Sequence, residues 1–230
     1  MKPFLFSVAT LSLTVFLGSS ALAQTTPPNM LLVTWHAETY APLGYEGKTL
    51  ITTGARVTFL VSAFTKGQYI SLKDKNIRWY EQDKLKKSGI GLNSLETQVN
   101  LLPGNDFKMK VEVPDFPGGA LSKTVSIRVV PPKVAIVAPF PNLQIPLKDF
   151  SVRAVPYFFS VFTENKLQYK WIVNDEPFIN ASDPQTVSVS GRELSASDVR
   201  SFTFRATAEN PGVYVNKGEG IKTITVRTGQ

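Results

Sequence analysis

The sequence predicts an all-β chain of two tandem β-sandwich domains behind an N-terminal export signal. Three observations carry this expectation. The chain opens on an apolar leader that ends in small residues, it continues as short alternating strands split by turn residues, and one pattern of markers occurs twice.

The leader comes first. Lys2 supplies a positive start, Phe4 to Leu17 is apolar apart from small hydroxyl residues, and Ala21-Leu22-Ala23 places small residues where signal peptidase reads them. A bilayer-spanning helix needs about 20 apolar residues, more than this run supplies. Residues 1–23 are therefore expected to be a signal peptide cleaved before Gln24, and residues 24–29 a polar, proline-containing linker. No second apolar stretch follows. The mature chain is expected to be exported, to the periplasm, the cell surface or the medium, with no membrane span.

The strands come next. Successive side chains of a strand face opposite sides, so alternation marks a half-buried strand. Phe107, Met109, Val111 and Val113 alternate with Lys108, Lys110 and Glu112. Val125, Ile127 and Val129 alternate with Thr124, Ser126 and Arg128. Val57, Phe59 and Val61 share a face, as do Leu167, Tyr169, Trp171 and Val173. Helical spacing is sustained nowhere after the leader. Pro103-Gly104, Pro117-Gly118-Gly119 and Pro211-Gly212 punctuate the pattern as turns do.

The repeat is the third observation. Trp79 is matched by Trp171, Phe107 by Phe202, Pro117-Gly118 by Pro211-Gly212, and the run Thr124–Arg128 by Thr223–Arg227. The order is kept and each pair lies about 95 positions apart. Two copies of one domain are expected, residues 30–130 and 131–230, meeting at Pro131-Pro132. Two prolines cannot continue a central strand, so they predict a stiff, extended hinge with few contacts across it.

A domain of this size, with a tryptophan on an early-to-middle strand and alternating strands after it, resembles an immunoglobulin-type sandwich. Trp79, Phe107, Trp171 and Phe202 are then the expected core residues, the phenylalanines filling space that a disulfide takes in antibody domains. The stretch Val33-Thr34-Trp35-His36-Ala37-Glu38-Thr39-Tyr40-Ala41-Pro42-Leu43-Gly44-Tyr45-Glu46-Gly47-Lys48 is similar to exported bacterial proteins with tandem Ig-like or PKD-like domains, candidate-phylum proteins among them. The aspartate- and glycine-rich signature of PKD domains is missing, which leaves Ig-like as the better description. The resemblance implies spacers, adhesins or binding surfaces.

Composition then limits the chemistry. With no cysteine, the chain has no thiol nucleophile, no thiolate metal site and no lipid-modified cysteine. Its single histidine, His36, would have to serve any Ser-His-Asp triad, yet alternation puts it on the polar face of its strand. One histidine without cysteine does not make a zinc site, and no calcium or phosphate loop is present. No enzyme and no cofactor are expected. The net charge of +7 favours anionic partners, but the basic residues are spread, so nucleic acid is disfavoured and a protein or cell-wall polymer is the expected partner.

Two stretches are candidates for binding. Tyr40 and Tyr45 lie in a turn-rich loop, where flat rings suit sugars or extended peptides or else cover the end of the sandwich. Lys84, Lys86 and Lys87 follow Gln82-Asp83, which reads as a hairpin tip. The function expected from all this is a non-catalytic interaction protein of the bacterial cell envelope. The alternative is a carbohydrate- or peptidoglycan-binding module that uses the aromatic loop and the basic hairpin.

Overall fold

The structure is a computed structural model that describes residues 29–139, 144–145, 149–180, 182–190, 200–213 and 215–226. The leader and residues 24–28 of the linker lie outside the described residues.

The first half is built from β1 (Met30–Glu38), β2 (Arg56–Thr65), β3 (Gln68–Ile70), β4 (Asn76–Glu81), β5 (Lys84–Ile90), β6 (Ser94–Gln98), β7 (Asp106–Val113) and β8 (Leu121–Arg128). In one sheet β2 pairs with β1 on one side and with β3 and β6 on the other. The other sheet has the order β5-β4-β7-β8. Alternation decides which residues meet between them. Val57, Phe59, Val61 and Ala63 of β2 face Ile77 and Trp79 of β4 and Phe107, Met109, Val111 and Val113 of β7, in one buried cluster.

The second half is built from β9 (Lys133–Val137), β10 (Gln144–Ile145), β11 (Phe150–Tyr157), β12 (Gln168–Val173), β13 (Glu176–Phe178), β14 (Thr186–Val189), β15 (Arg200–Glu209) and β16 (Lys217–Val226), with one 3-10 turn at Glu164–Lys166. Its sheets run β14-β11-β9 and β10-β16-β15-β12-β13. This is the wiring of the first half without a counterpart of β3 among the described residues, and with β10 added in parallel beside β16. A second buried cluster lies between the sheets, centred on Trp171, Phe159, Phe204 and Ile224. At Gly218 and Gly220 a Cβ would fall 2.9 Å from the Pro132 carbonyl and 2.4 Å from that of Val134, so only glycine lets β16 lie this close to the start of β9. The chain is two tandem Ig-like β-sandwiches.

The ladders also show what the two halves share. Trp79 lies opposite Val111, and Trp171 opposite Ala206. Both tryptophans are buried, at 0% and 4% exposure. Each donates its indole N–H to a carbonyl 13 residues downstream: Trp79 to Leu92 at 2.9 Å, Trp171 to Pro184 at 3.0 Å. Phe107 is buried, whereas Phe202, at the corresponding position, is half-buried and stacks on Phe204. One match slips. The sequence pairs Thr124 with Thr223, but Ile127 lies opposite Phe107 and Ile224 opposite Phe202, so Ile224 is the counterpart of Ile127. A slip of two residues keeps every side chain on its own face, which is why alternation did not expose it.

Candidate functional site

The connection from β1 to β2 is the longest in the first sandwich, and it leaves its own domain. Tyr40 donates its backbone N–H to the Phe159 carbonyl at 2.7 Å, and its own carbonyl accepts the Phe158 N–H at 2.6 Å. This is strand-like pairing across the two sandwiches. The Tyr40 hydroxyl donates to Glu164 Oε2 at 2.9 Å, and Arg153 holds the other oxygen of that carboxylate at 2.8 Å. Arg153 also donates to Gln185 Oε1, whose amide nitrogen reaches the Tyr169 hydroxyl at 3.2 Å. Burial, the hydrogen bond to Glu164 and the charge of that carboxylate push the Tyr40 hydroxyl up to about 12. Burial pushes Tyr169 up as well, with Glu164 adding to it.

Tyr45 stands edge-on to Tyr157 and Phe158, with ring centroids 6.0 and 5.6 Å away. Phe158 is buried at φ 63°, a left-handed conformation rare for a bulky side chain and held here by its bond to Tyr40. The loop returns with Lys48 Nζ 3.4 Å from the Trp35 ring centroid, and Thr49 donates to the Ala37 carbonyl at 2.8 Å.

A second set of contacts closes the joint from the other side. Asn216 is 1% exposed. Its amide donates to Thr52 Oγ1 at 3.4 Å and to the Thr53 carbonyl at 3.1 Å, and its Oδ1 accepts the Ser160 N–H at 3.2 Å. Asn210 braces it, accepting the Gly212 N–H and donating to the Ser160 carbonyl. Gly54 has φ +84°, and a Cβ there would fall 2.6 Å from a Val213 methyl carbon. Beside the prolines, Val130 donates to the Ile51 carbonyl at 2.9 Å, a bond within the first half that ties its last residue to the same loop. The expected hinge with few contacts is therefore corrected. Pro131-Pro132 lies between β8 and β9, and hydrogen bonds and ring contacts join the residues before it to those after it.

A cleft of about 450 Å³ opens at this joint, lined by Glu38, Arg56, Glu96, Gln98, Ser160 and Phe162 among others. Its two carboxylates lie on either side of Arg56, at 3.8 and 3.3 Å. They form an ion-paired cluster with it.

The lysines follow a hairpin turn at Gln82-Asp83. Gln82 and Asp83 both have positive φ, as the tight turn between β4 and β5 requires. β5 is an edge strand, and Lys84, Lys86 and Lys87 are all exposed. Lys86 pairs with Glu81 at 3.0 Å, and Glu81 in turn accepts the Thr97 hydroxyl at 2.7 Å. Lys84 and Lys87 make no ion pair among the described residues. His36 is exposed on β1, opposite Thr58. Among the described residues no group of three or more His, Asp or Glu side chains is placed to hold a metal ion, and no helix is long and apolar enough to cross a membrane.

The structure thus separates the two candidate stretches. Tyr40 and Tyr45 are turned onto the second sandwich, while the lysines face solvent on an edge strand of the first. Sequence reasoning missed Arg153, Glu164, Asn210 and Asn216. Nothing in their neighbourhoods marks them as joint residues: Glu164 and Asn216 gain their roles from Tyr40, Thr52 and Thr53 in the other half of the chain, and Arg153 and Asn210 act by holding Glu164 and Ser160 in place.

No family model matches the chain, and no curated protein matches it. Among solved structures it is similar to the fibronectin(III)-like modules of CbhA from Clostridium thermocellum, at 11% identity over 86% of this chain and 95% of that one, with a TM-score of 0.29. It is also similar to the three N-terminal domains of the bacteriophage RB49 outer capsid protein Hoc, at 12% identity over 87% and 59%, with a TM-score of 0.42. A third is a bacterial ice-binding adhesin, at 14% identity over 88% and 67%, with a TM-score of 0.29. At such identities the likeness is one of general fold, and the sandwich assignment rests on the strand order.

Proposed function

We propose that the chain is a non-catalytic exported interaction protein of the bacterial cell envelope, of the tandem Ig-like kind. Its two modules, residues 30–130 and 131–230, are held at a fixed angle so that well-separated surfaces are presented together. The locked joint carries this reading. The loop that carries Tyr40 and Tyr45 is turned onto the second sandwich, and the buried Asn216 gives its amide N–H bonds to Thr52 and Thr53 of the first, bonds that parting the sandwiches would exchange for water. A fixed angle is of use to a spacer or a two-surface binder.

The test is fractionation of the producing bacterium with an antibody to this chain, followed by intact-mass measurement. The expected species begins at Gln24 or close by and is found in the envelope or the medium. A full-length chain in the cytoplasm overturns the reading.

A second reading is a carbohydrate- or peptidoglycan-binding module. The solvent-facing Lys84 and Lys87 favour it, although Tyr40 and Tyr45 are engaged elsewhere. Retention on purified cell wall, competed by soluble glycan and lost when both lysines are changed to Glu, would decide for it.

A further inference from the structure

The two copies of the repeat differ at one edge, and the difference leaves a gap. In the first sandwich β5 covers the whole of β4: Ile90 lies opposite Asn76, Gly89 opposite Ile77 and Ser88 opposite Arg78. With Trp79 and Trp171 superposed by their ladders, the counterparts of these β4 residues are Gln168, Tyr169 and Lys170. There β13 stops short. It pairs only Phe178 with Trp171, Pro177 with Ile172 and Glu176 with Val173. Tyr169 pairs with Ala208 of β15 on one side and, among the described residues, with no strand on the other.

Beside this free edge lies a groove of about 540 Å³, walled mainly by Tyr169, Trp171, Phe178, Ile179 and Pro184, with Lys170 the only charged residue in its lining. Ile179 is 89% exposed. The walls are braced. The Trp171 indole holds the Pro184 carbonyl, and Asn180 accepts the N–H groups of Ser182 and Asp183 while donating to the Thr186 carbonyl. The outer edge of β13 is blunted by Pro177, which has no N–H to offer. The open backbone is thus confined to the stretch next to the groove.

We propose that this edge accepts one extended segment of a protein partner, added antiparallel to Gln168–Lys170 in the place that Ser88–Ile90 fill in the first sandwich. Main-chain bonds to Tyr169 would hold the segment, and an apolar side chain would fill the groove. Lys170, unaccompanied by any acid in the lining, selects a segment with a carboxylate next to its apolar residues. The proposal deepens the interaction reading and rests on it. The two fail separately, since fractionation reports on location and the groove is read by peptide binding.

The probes are an octapeptide of alternating Val and Glu and its Val-Lys counterpart, titrated into the exported chain with amide hydrogen exchange read at Tyr169. Saturable binding of the Val-Glu peptide that slows exchange at Tyr169 is expected. Ile179→Ser should weaken it at least about tenfold, the scale of one good apolar contact. Lys170→Glu should reverse the preference in favour of Val-Lys. Both positions are exposed, and thermal melts check that the variants remain folded. Absence of saturable binding, or binding unchanged by Ile179→Ser, overturns the site. Equal affinity for both peptides overturns the acidic partner. A dimer in sedimentation that Ile179→Ser dissolves assigns the edge to a second copy of this chain and overturns the partner as well.

Discussion

At the scale of single residues, the joint depends on a few polar groups whose partners lie in the other sandwich. Tyr40 is the most informative, because its hydroxyl titrates differently in the folded chain. Its value rises from 10.0 to about 12 through burial, the hydrogen bond to Glu164 and the charge of that carboxylate. A raised folded value means that the folded state holds the proton longer than the unfolded one. The stability this contributes is complete below about pH 10 and is lost as pH rises through about 12. Tyr40→Phe lacks the contribution at every pH. The gap between the urea midpoints of the two forms should therefore be constant near pH 8 and narrow between about pH 10 and 12. A gap that is flat across this window would show that the hydroxyl is not held by Glu164.

At the scale of elements, the two hairpins that follow the tryptophan strands are alike. Gln82-Asp83 joins β4 to β5 and Asn174-Asp175 joins β12 to β13, with all four residues at positive φ. A side chain in this region meets a steric cost that glycine avoids, here partly offset because glycine also has more freedom to lose on folding. Gln82 is worth keeping, since its amide donates to the Asp106 carbonyl at 3.0 Å. Asp83 makes no such bond, so Asp83→Gly should raise stability by about 0.5 kcal/mol. Chemical denaturation of the two forms checks this, and a loss of stability would mean that the Asp83 carboxylate contributes through the lysines around it.

At the scale of the whole molecule, two cores and one locked joint make opposing demands. Each half encloses its own buried cluster, so residues 25–131 and 132–230 are each expected to express as a folded β-rich fragment. Each fragment also loses cover: Tyr40 and Tyr45 in one, and Phe158, Ser160 and Asn216 in the other. Both should melt cooperatively in circular dichroism but below the intact chain, and mixing them should recover part of the difference. If both fragments are unfolded while the full chain melts as one unit, the two cores are not independent.

Alternation and turn residues made the strands legible, because a half-buried strand repeats every two residues whatever its neighbours are. The tryptophans and the hairpin at Gln82-Asp83 were legible for the same local reason. The same periodicity limited the reading, since it could not tell Ile224 from Val226 as the counterpart of Ile127. Tyr40 and Tyr45 could be seen as a binding surface or as packing residues, and the sequence did not decide between them, because their environment comes from Phe158, Glu164 and Tyr157, more than 100 positions away. The short β13 was equally hidden, since a strand's length depends on where its partner diverges. Local propensity and pattern determined that this chain makes two sandwiches. The joint between them, and the edge left open beside Trp171, were decided only by tertiary packing, where groups distant in sequence satisfy one another's hydrogen bonds or leave them unmet.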